Sequence, residues 1–300
     1  LIMIYCVLAI NRKGEYMKKC VQLILSALGI ALLGGASLAS TEVTYNGFSD
    51  TTGLTLNGSA AVVGTSDGSV LRVCPAKGSS AGSVFSAMTV NASKFSTFFK
   101  FRLTDSGGTL FDGNDKVGAD GLVFVVQSVS SSIGGSGQGI GYDGIGSSVG
   151  AEIDTWHNSA NNDPDSNHIG IDVNGSVNHG SGSLWTQSVS PEFNDGNLWY
   201  AWVDYDGTDM EFRVNQTGVR SATADLTRSL DIKSILGQDT AYVGFTSGTG
   251  ADWNNHDVLY WTYRDYYNPI TPGSAVPEPS SIALLAMGIG SILAIKRKIK

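Results

Sequence analysis

Glu152-Ile153-Asp154-Thr155-Trp156-His157-Asn158, then Asp163, then His168-Ile169-Gly170-Ile171-Asp172-Val173 fall within one stretch of 22 residues. Carboxylates at i and i+2 project from the same face of a strand, so Glu152 and Asp154 point together. An amide at Asn158, a third carboxylate at Asp163 and an imidazole at His168 complete a ligand set. Oxygen-rich donors with one nitrogen suit a hard cation beside a borderline transition metal. The spacing therefore reads as two adjacent metals sharing carboxylates.

Outward from this stretch, short alternating runs recur: Leu54-Thr-Leu56, Val70–Val73, Phe95–Leu103, Leu122–Val126, Tyr242–Phe245 and Val258–Tyr263. Trp199–Tyr205 and Met210–Val214 flank Asp206-Gly207, a hairpin signal. Gly, Ser, Thr and Asn are abundant, Pro is scarce, and no long stretch carries a helical period. Many strands separated by turns indicate an all-β chain, a β-sandwich or jelly roll over residues 40–263. Residues 264–275 read as a polar, Pro-punctuated linker, and there is no internal repeat.

The two ends differ in character from this region. Met17-Lys18-Lys19 precedes the apolar run Val21–Leu33, and Ser37 and Ala39 occupy −3 and −1 of a cleavage site before Ser40. That grammar indicates a secretory signal peptide over residues 1–39, with 1–16 an upstream extension. At the other end, Val276-Pro-Glu-Pro279 precedes the apolar run Ile282–Ile295 and the basic cluster Lys296-Arg-Lys-Ile-Lys300. The run is short beside the about 20 residues of a membrane-spanning helix. One reading is a weak anchor, its basic end held in the cytoplasm. The other is a resemblance: this three-part order resembles the PEP-CTERM sorting signal of Gram-negative, exopolysaccharide-producing bacteria. It implies a short transmembrane tail helix processed by an exosortase during export across the inner membrane, with the protein ending at the cell surface or in the matrix.

Between the ends, residues 40–276 hold 11 basic and 25 acidic side chains, a net charge of −14. Such a surface repels phosphate backbones and excludes nucleic acid as a partner, while it suits a protein that holds cations. Cys6 and Cys20 belong to the leading segment, which leaves Cys74 without a disulfide partner. A buried small hydrophobe is the expected role for it.

Four blocks in order across residues 44–263 resemble the legume-type (L-type) lectins: Phe95-Ser-Thr-Phe-Phe99, Gly118-Ala-Asp-Gly-Leu122, the stretch 152–173, and Val243–Gly250 with His256–Trp261. The resemblance implies a concanavalin-like jelly-roll sandwich. By position, Glu152, Asp154, Asp163 and His168 would hold a transition metal, usually manganese (Mn2+). Asp154 and Asp163 would bridge to calcium (Ca2+), joined by the Asn158 side-chain oxygen and the Trp156 carbonyl. Shared anions offset the repulsion between two close dications.

The same resemblance places a sugar site beside the calcium. Asp120 would accept from two sugar hydroxyls, Asn158 would donate from its amide, and Trp156 would offer a stacking face. A backbone N–H within Gly134–Gly141, Gly137 or Gly139, would complete it, and the Ala119–Asp120 bond would be cis. Trp253, in a specificity loop at Ser247–Asn255, reads either as a second stacking platform or as an ordinary loop aromatic. The expectation is an exported lectin that binds glycan or exopolysaccharide, with no catalysis. Two other functions compete. Retaining glucanases on the same scaffold carry a Glu-Ile-Asp strand and need a second catalytic acid at about 5–5.5 Å, but here Thr155, Trp156, His157 and Asn158 follow Asp154. A structural matrix protein that keeps the fold without binding sugar is the second.

Overall fold

A computed structural model describes residues 40–109, 118–134 and 139–272. The signal-peptide, sorting-tail and Gly137 assignments lie outside these residues. In chain order the strands are β1 (Glu42–Asn46), β2 (Leu54–Gly58), β3 (Ala61–Thr65), β4 (Gly68–Cys74), β5 (Ala81–Ser86), β6 (Val90–Asn91), β7 (Phe95–Gly107) and β8 (Gly121–Gln127). They continue with β9 (Ser148–Asp154), β10 (His168–Val173), β11 (Thr186–Ser188), β12 (Trp199–Tyr205), β13 (Asp209–Asn215), β14 (Leu226–Ser229), β15 (Thr240–Gly248) and β16 (Trp253–Arg264). Among the described residues a short α-helix, α1 (Ile232–Leu236), is capped by the Asp231 side chain, which accepts from Ser234 N.

These strands form two antiparallel sheets. The first runs β14-β13-β12-β7-β16-β4-β3, with β1 also on β16; the second runs β11-β10-β9-β8-β15-β5-β2, with β6 on the start of β15. Period-two patterning sends one side of each strand between the sheets. Phe95, Phe99, Phe101 and Leu103 of β7 meet Leu122, Phe124 and Val126 of β8 there, all fully buried. Phe245 of β15 stands edge-on to Phe99 and to Trp261, with ring centroids 5.1 Å apart in each case. Aromatic pairs at this separation add to the area they bury. The result is the all-β jelly-roll sandwich that the alternating runs indicate.

In β16, Val258 and Trp261 both face the core although three residues apart. The ladder with β7 shifts register between Val258 and Tyr260, a bulge that changes which face the following side chains take. The Asp206-Gly207 hairpin forms with Tyr205 opposite Met210. Asp206 Oδ1 accepts from Thr208 N and Asp209 N, and Gly207 supplies the positive φ of +104°. Cys74 is buried, beside Ser59.

The linker reading changes at its start. The residues after Arg264 dock on the outer face of the first sheet, where Phe98, Tyr200, Trp202 and Tyr260 cluster around Ile270. Trp202 Nε1 donates to Ile270 O at 2.9 Å, and Asn268 N donates to Ser96 Oγ at 3.0 Å. An apolar outer face needs a cover, and the chain supplies one through Ile270. Among the described residues no helix is long and apolar enough to cross a membrane.

Candidate metal centre and sugar site

All seven residues of β8 and all seven of β9 are buried, because the outward face of the second sheet is covered as well. Val123, Val125 and Phe85 on that face lie under Ile140, Tyr142, Ile145 and Val177. On β9 the inward side chains are Val149, Ala151 and Ile153; Glu152 and Asp154 therefore share the outward face. On β10 the inward pair is Ile169 and Ile171, which leaves His168 and Asp172 outward. Register sets His168 opposite Asp154 and Gly170 opposite Glu152. A Cβ on Gly170 would come within 2.6 Å of Glu152 Oε2, so the glycine makes the room that this carboxylate occupies.

The loop between β9 and β10 folds back over this face on its own carboxylates. Trp156 N donates to Asp154 Oδ1 and Asn158 N donates to Asp163 Oδ2, both at 2.6 Å. His168 Nδ1 lies 3.1 Å from Asp165 O; a carbonyl only accepts, so Nδ1 carries the proton and Nε2 presents a lone pair inward. Asp154, Asp163 and His168 bring one donor atom each within 4.8 Å of one another. A second group with the same limit is Glu152, His168 and His179.

The electrostatics fit cations. Glu152, His168, Asp154, Asp172 and Asp163 are each no more than 7% exposed. Glu152 Oε1 and Oε2, Asp163 Oδ1 and His168 Nε2 are buried atoms with no hydrogen-bond partner among the described residues. Burial, and then the charges of Asp172, Asp154 and Asp163, hold the Glu152 carboxyl well above its ordinary range. Burial likewise lowers His168, against the pull of Asp163. Buried acids placed this close are stable as anions only with positive charge among them. The residues present therefore suit a bound cation at this cluster.

Asp120 stands one residue before β8, at the same end of the sheet. Gly121 pairs with Asp154, and Asp120 O accepts from Thr155 N at 3.0 Å, so Asp120 directly flanks the metal-loop strand. The Ala119–Asp120 bond is cis, as expected. Burial, and then the charge of Asp252, push the Asp120 carboxyl up to about 7. Its Oδ2 has no hydrogen-bond partner among the described residues. Gly250 lies beside it: a Cβ there would be 3.4 Å from Oδ2.

A profile of the legume lectin β-barrel domain matches residues 43–260. The chain belongs to that family. Among similar proteins, the L-type lectin-domain containing receptor kinase VIII.1 of Arabidopsis thaliana is 30% identical over 192 residues, 62% of this chain and 26% of the kinase. The galactose-binding lectin of Arachis hypogaea is 30% identical over 186 residues, 60% of this chain and 63% of that lectin. The chain thus spans about a quarter of that receptor kinase and under two thirds of the peanut lectin. Among solved structures, lectin II from Ulex europaeus superposes with a TM-score of 0.60 at 25% identity, covering 74% of this chain and 97% of that one. Lectin UEA-II complexed with galactose gives a TM-score of 0.59 at 26% identity, covering 74% of this chain and 97% of that one.

Within this lectin fold, Glu152, Asp154, Asp163 and His168 come together, and Trp156 and Asn158 follow on the loop that leaves β9. Gly139 opens a tight turn whose carbonyl accepts from Tyr142 N and Asp143 N. The loop Ser247–Asn255 is shorter than its sequence suggests, because β15 runs to Gly248 and β16 starts at Trp253. Trp253 is half-buried, its indole against Gly107 and Gly78, where a Cβ would lie 2.6 Å and 3.4 Å from the ring. The glycines are the reason that a large ring fits there.

Sequence reading missed His179. The Asn174-Gly175 turn, with φ of +54° and +69°, reverses the chain after β10. Val177 then lands on the outward cluster, and His179 N donates to Asn161 O at 2.9 Å over the metal loop. The imidazole is 1% exposed, with Nε2 3.3 Å from Glu152 Oε2 and 3.4 Å from Asp163 Oδ1. Asn-Gly followed closely by histidine is the signal that could have found it.

Proposed function

We propose that this lectin-family chain is a metal-dependent carbohydrate-binding protein. The observation that carries the reading is the buried cluster of carboxylate oxygens and imidazole nitrogen on the outward face of β9 and β10, with Asp120 beside it. Glu152, Asp154, Asp163 and His168 would hold a transition metal such as Mn2+. Asp154 and Asp163, with Asn158 and the Trp156 carbonyl, would hold Ca2+. Bound, the cations supply the fixed positive charge that these acids need. Asp120 accepts sugar hydroxyls, Asn158 donates its amide, and Trp156 stacks on the ring. A loop set before ligand arrives lowers the ordering cost of binding.

Catalysis is not part of the reading: Glu152 and Asp154 are taken up by metal, and no acid follows Asp154 until Asp163. On the signal-peptide reading of 1–39 and the sorting-tail reading of 276–300, the protein would be carried to the cell surface or the matrix, with exopolysaccharide or glycan as partner. Exosortase handles the tail, and the membrane is met only through it. Single lectin sites bind weakly, so surface display of several copies would raise the effective affinity.

The test is a glycan and exopolysaccharide array on the full chain, with galactose included because two similar lectins are described with it. Binding with Ca2+ and Mn2+ that disappears in EDTA and in Asp120→Ala is the expected result. A charge-assisted hydrogen bond contributes about 1.5–3 kcal/mol, so Asp120→Ala weakens binding at least roughly tenfold. Metal uptake with no glycan retained on any array would leave a structural matrix protein and overturn the reading.

A further inference from the structure

The four sequence-read ligands of the transition-metal position carry one imidazole, yet a second ring sits among them. His179 Nε2 lies 3.3 Å from Glu152 Oε2 and 3.4 Å from Asp163 Oδ1, oxygens of two of those ligands. The His168 and His179 rings meet edge to face, centroids 5.4 Å apart, and each has a buried Nε2 with no hydrogen-bond partner among the described residues. On the far side of His179, Nδ1 faces Asp172 Oδ1 at 3.5 Å. Carboxylates face both nitrogens, so a cation among Glu152 and Asp163 would find the Nε2 lone pair once Nδ1–H donates to Asp172. Carboxylate–histidine pairs of this kind orient metal ligands.

Backbone contacts hold the ring there independently of any cation. His179 N donates to Asn161 O at 2.9 Å, and Leu184 N donates to His179 O at 3.2 Å. Gly170 leaves the space the ring uses, since a Cβ on it would lie 3.3 Å from His179 Cε1 as well as 2.6 Å from Glu152 Oε2. The side chain is 1% exposed, so the cluster is its whole environment.

We propose that His179 is a direct ligand of the transition-metal position, oriented by Asp172, and that the resulting two-imidazole donor set selects zinc over manganese. This rests on the reading of the cluster as a metal site. Imidazole suits zinc, copper and nickel, whereas carboxylate and water suit manganese, and affinity rises from manganese toward zinc along the divalent series. Replacing an oxygen donor by a second imidazole moves the position further in that direction. Asp172, which no ligand role had claimed, acquires one as a positioning residue.

The test loads the full chain with Ca2+ and Co2+ and counts exchangeable, paramagnetically shifted imidazole N–H proton resonances. Each ligating ring bound through Nε2 contributes one, its Nδ1–H facing Asp165 O in His168 and Asp172 Oδ1 in His179. Two resonances in the wild type, one in His179→Asn, and at least a tenfold loss of zinc-over-manganese preference in that variant (metal content after competition) are expected. One resonance in the wild type, with cobalt bound, overturns the inference and leaves the metal site standing. Manganese preferred equally by both proteins overturns it too. Failure of the wild type to take up calcium, cobalt, zinc or manganese sinks the metal-site reading and the inference together. The wild-type count does not depend on the variant folding.

Discussion

Stripping the cations should loosen this protein by an amount that the cluster lets one estimate. Glu152, Asp154, Asp163 and Asp172 are buried together around His168, at no more than 7% exposure each. Cations that bind only the folded chain, at a hundredfold excess over their dissociation constant, stabilise it by about 2.7 kcal/mol. A domain of this size shifts its melting temperature by about 2–4 °C per kcal/mol, so chelation lowers it by about 5–10 °C. The effect depends on pH in a definite direction. Without cations, burial and neighbouring charges raise Glu152, and Asp120 titrates at about 7. These two groups therefore bind more protons in the stripped folded state than in the unfolded chain between about pH 4 and 7, and their contribution to stability falls as pH rises through that window. Loaded protein holds Glu152 ionised and gains affinity as pH rises. The gap between loaded and stripped protein should thus widen from pH 5.5 to pH 8. Scanning calorimetry of the full chain with Ca2+ and Mn2+, then in EDTA, reads it, and limited proteolysis reads whether residues 155–167 open first. An unchanged melting temperature with an unchanged cleavage pattern would refute the coupling of fold to metal.

Three further outcomes can be checked. Gly170→Ala should empty the metal position while the sheet persists, because its Cβ would meet Glu152 Oε2 at 2.6 Å; metal analysis beside far-ultraviolet circular dichroism tests this. Phe245→Ala should cost about 3–5 kcal/mol, on the order of 10 °C, because its ring touches Phe99, Phe124 and Trp261 across the sandwich; denaturant melts measure it. His256 is fully buried, and burial, then the charge of Arg72, lower it to about 3. Its contribution is complete above the unfolded value of about 6.5 and is lost as pH falls toward 3, so His256→Leu should remove about 2 kcal/mol of the stability lost between pH 7 and pH 5. Parallel denaturant titrations at the two pH values would show equal losses if this is wrong.

The chain's own order of residues settles what is local. Glu152, Asp154, Asp163 and His168 belong to one strand-loop-strand unit: the period of two puts Glu152 and Asp154 on one face of β9, the register of β10 sets His168 beside them, and Asp163 comes from the loop between. The alternating runs from Phe95 to Tyr263 reveal the sandwich for the same reason: each strand carries its own record of which side meets the core. Asp120 was legible through the Ala-Asp-Gly block, whose family position does not depend on knowing its neighbours. Nothing local says that Asp120 lies beside Asp252, or that β16 pairs with β1, β4 and β7, because those contacts join residues far apart in the chain. Trp253 reads from its sequence either as a stacking platform or as a loop aromatic, and nothing local says that its ring packs against Gly78 and Gly107. The residues after Arg264 look like a linker until Ile270 meets Trp202. His179 belongs to neither the β9 nor the β10 pattern; only the reversal at Asn174-Gly175 carries it onto Glu152 and Asp163. Period and spacing report what a strand does to its own side chains, whereas the final composition of a buried charged cluster is decided by which turns return to it.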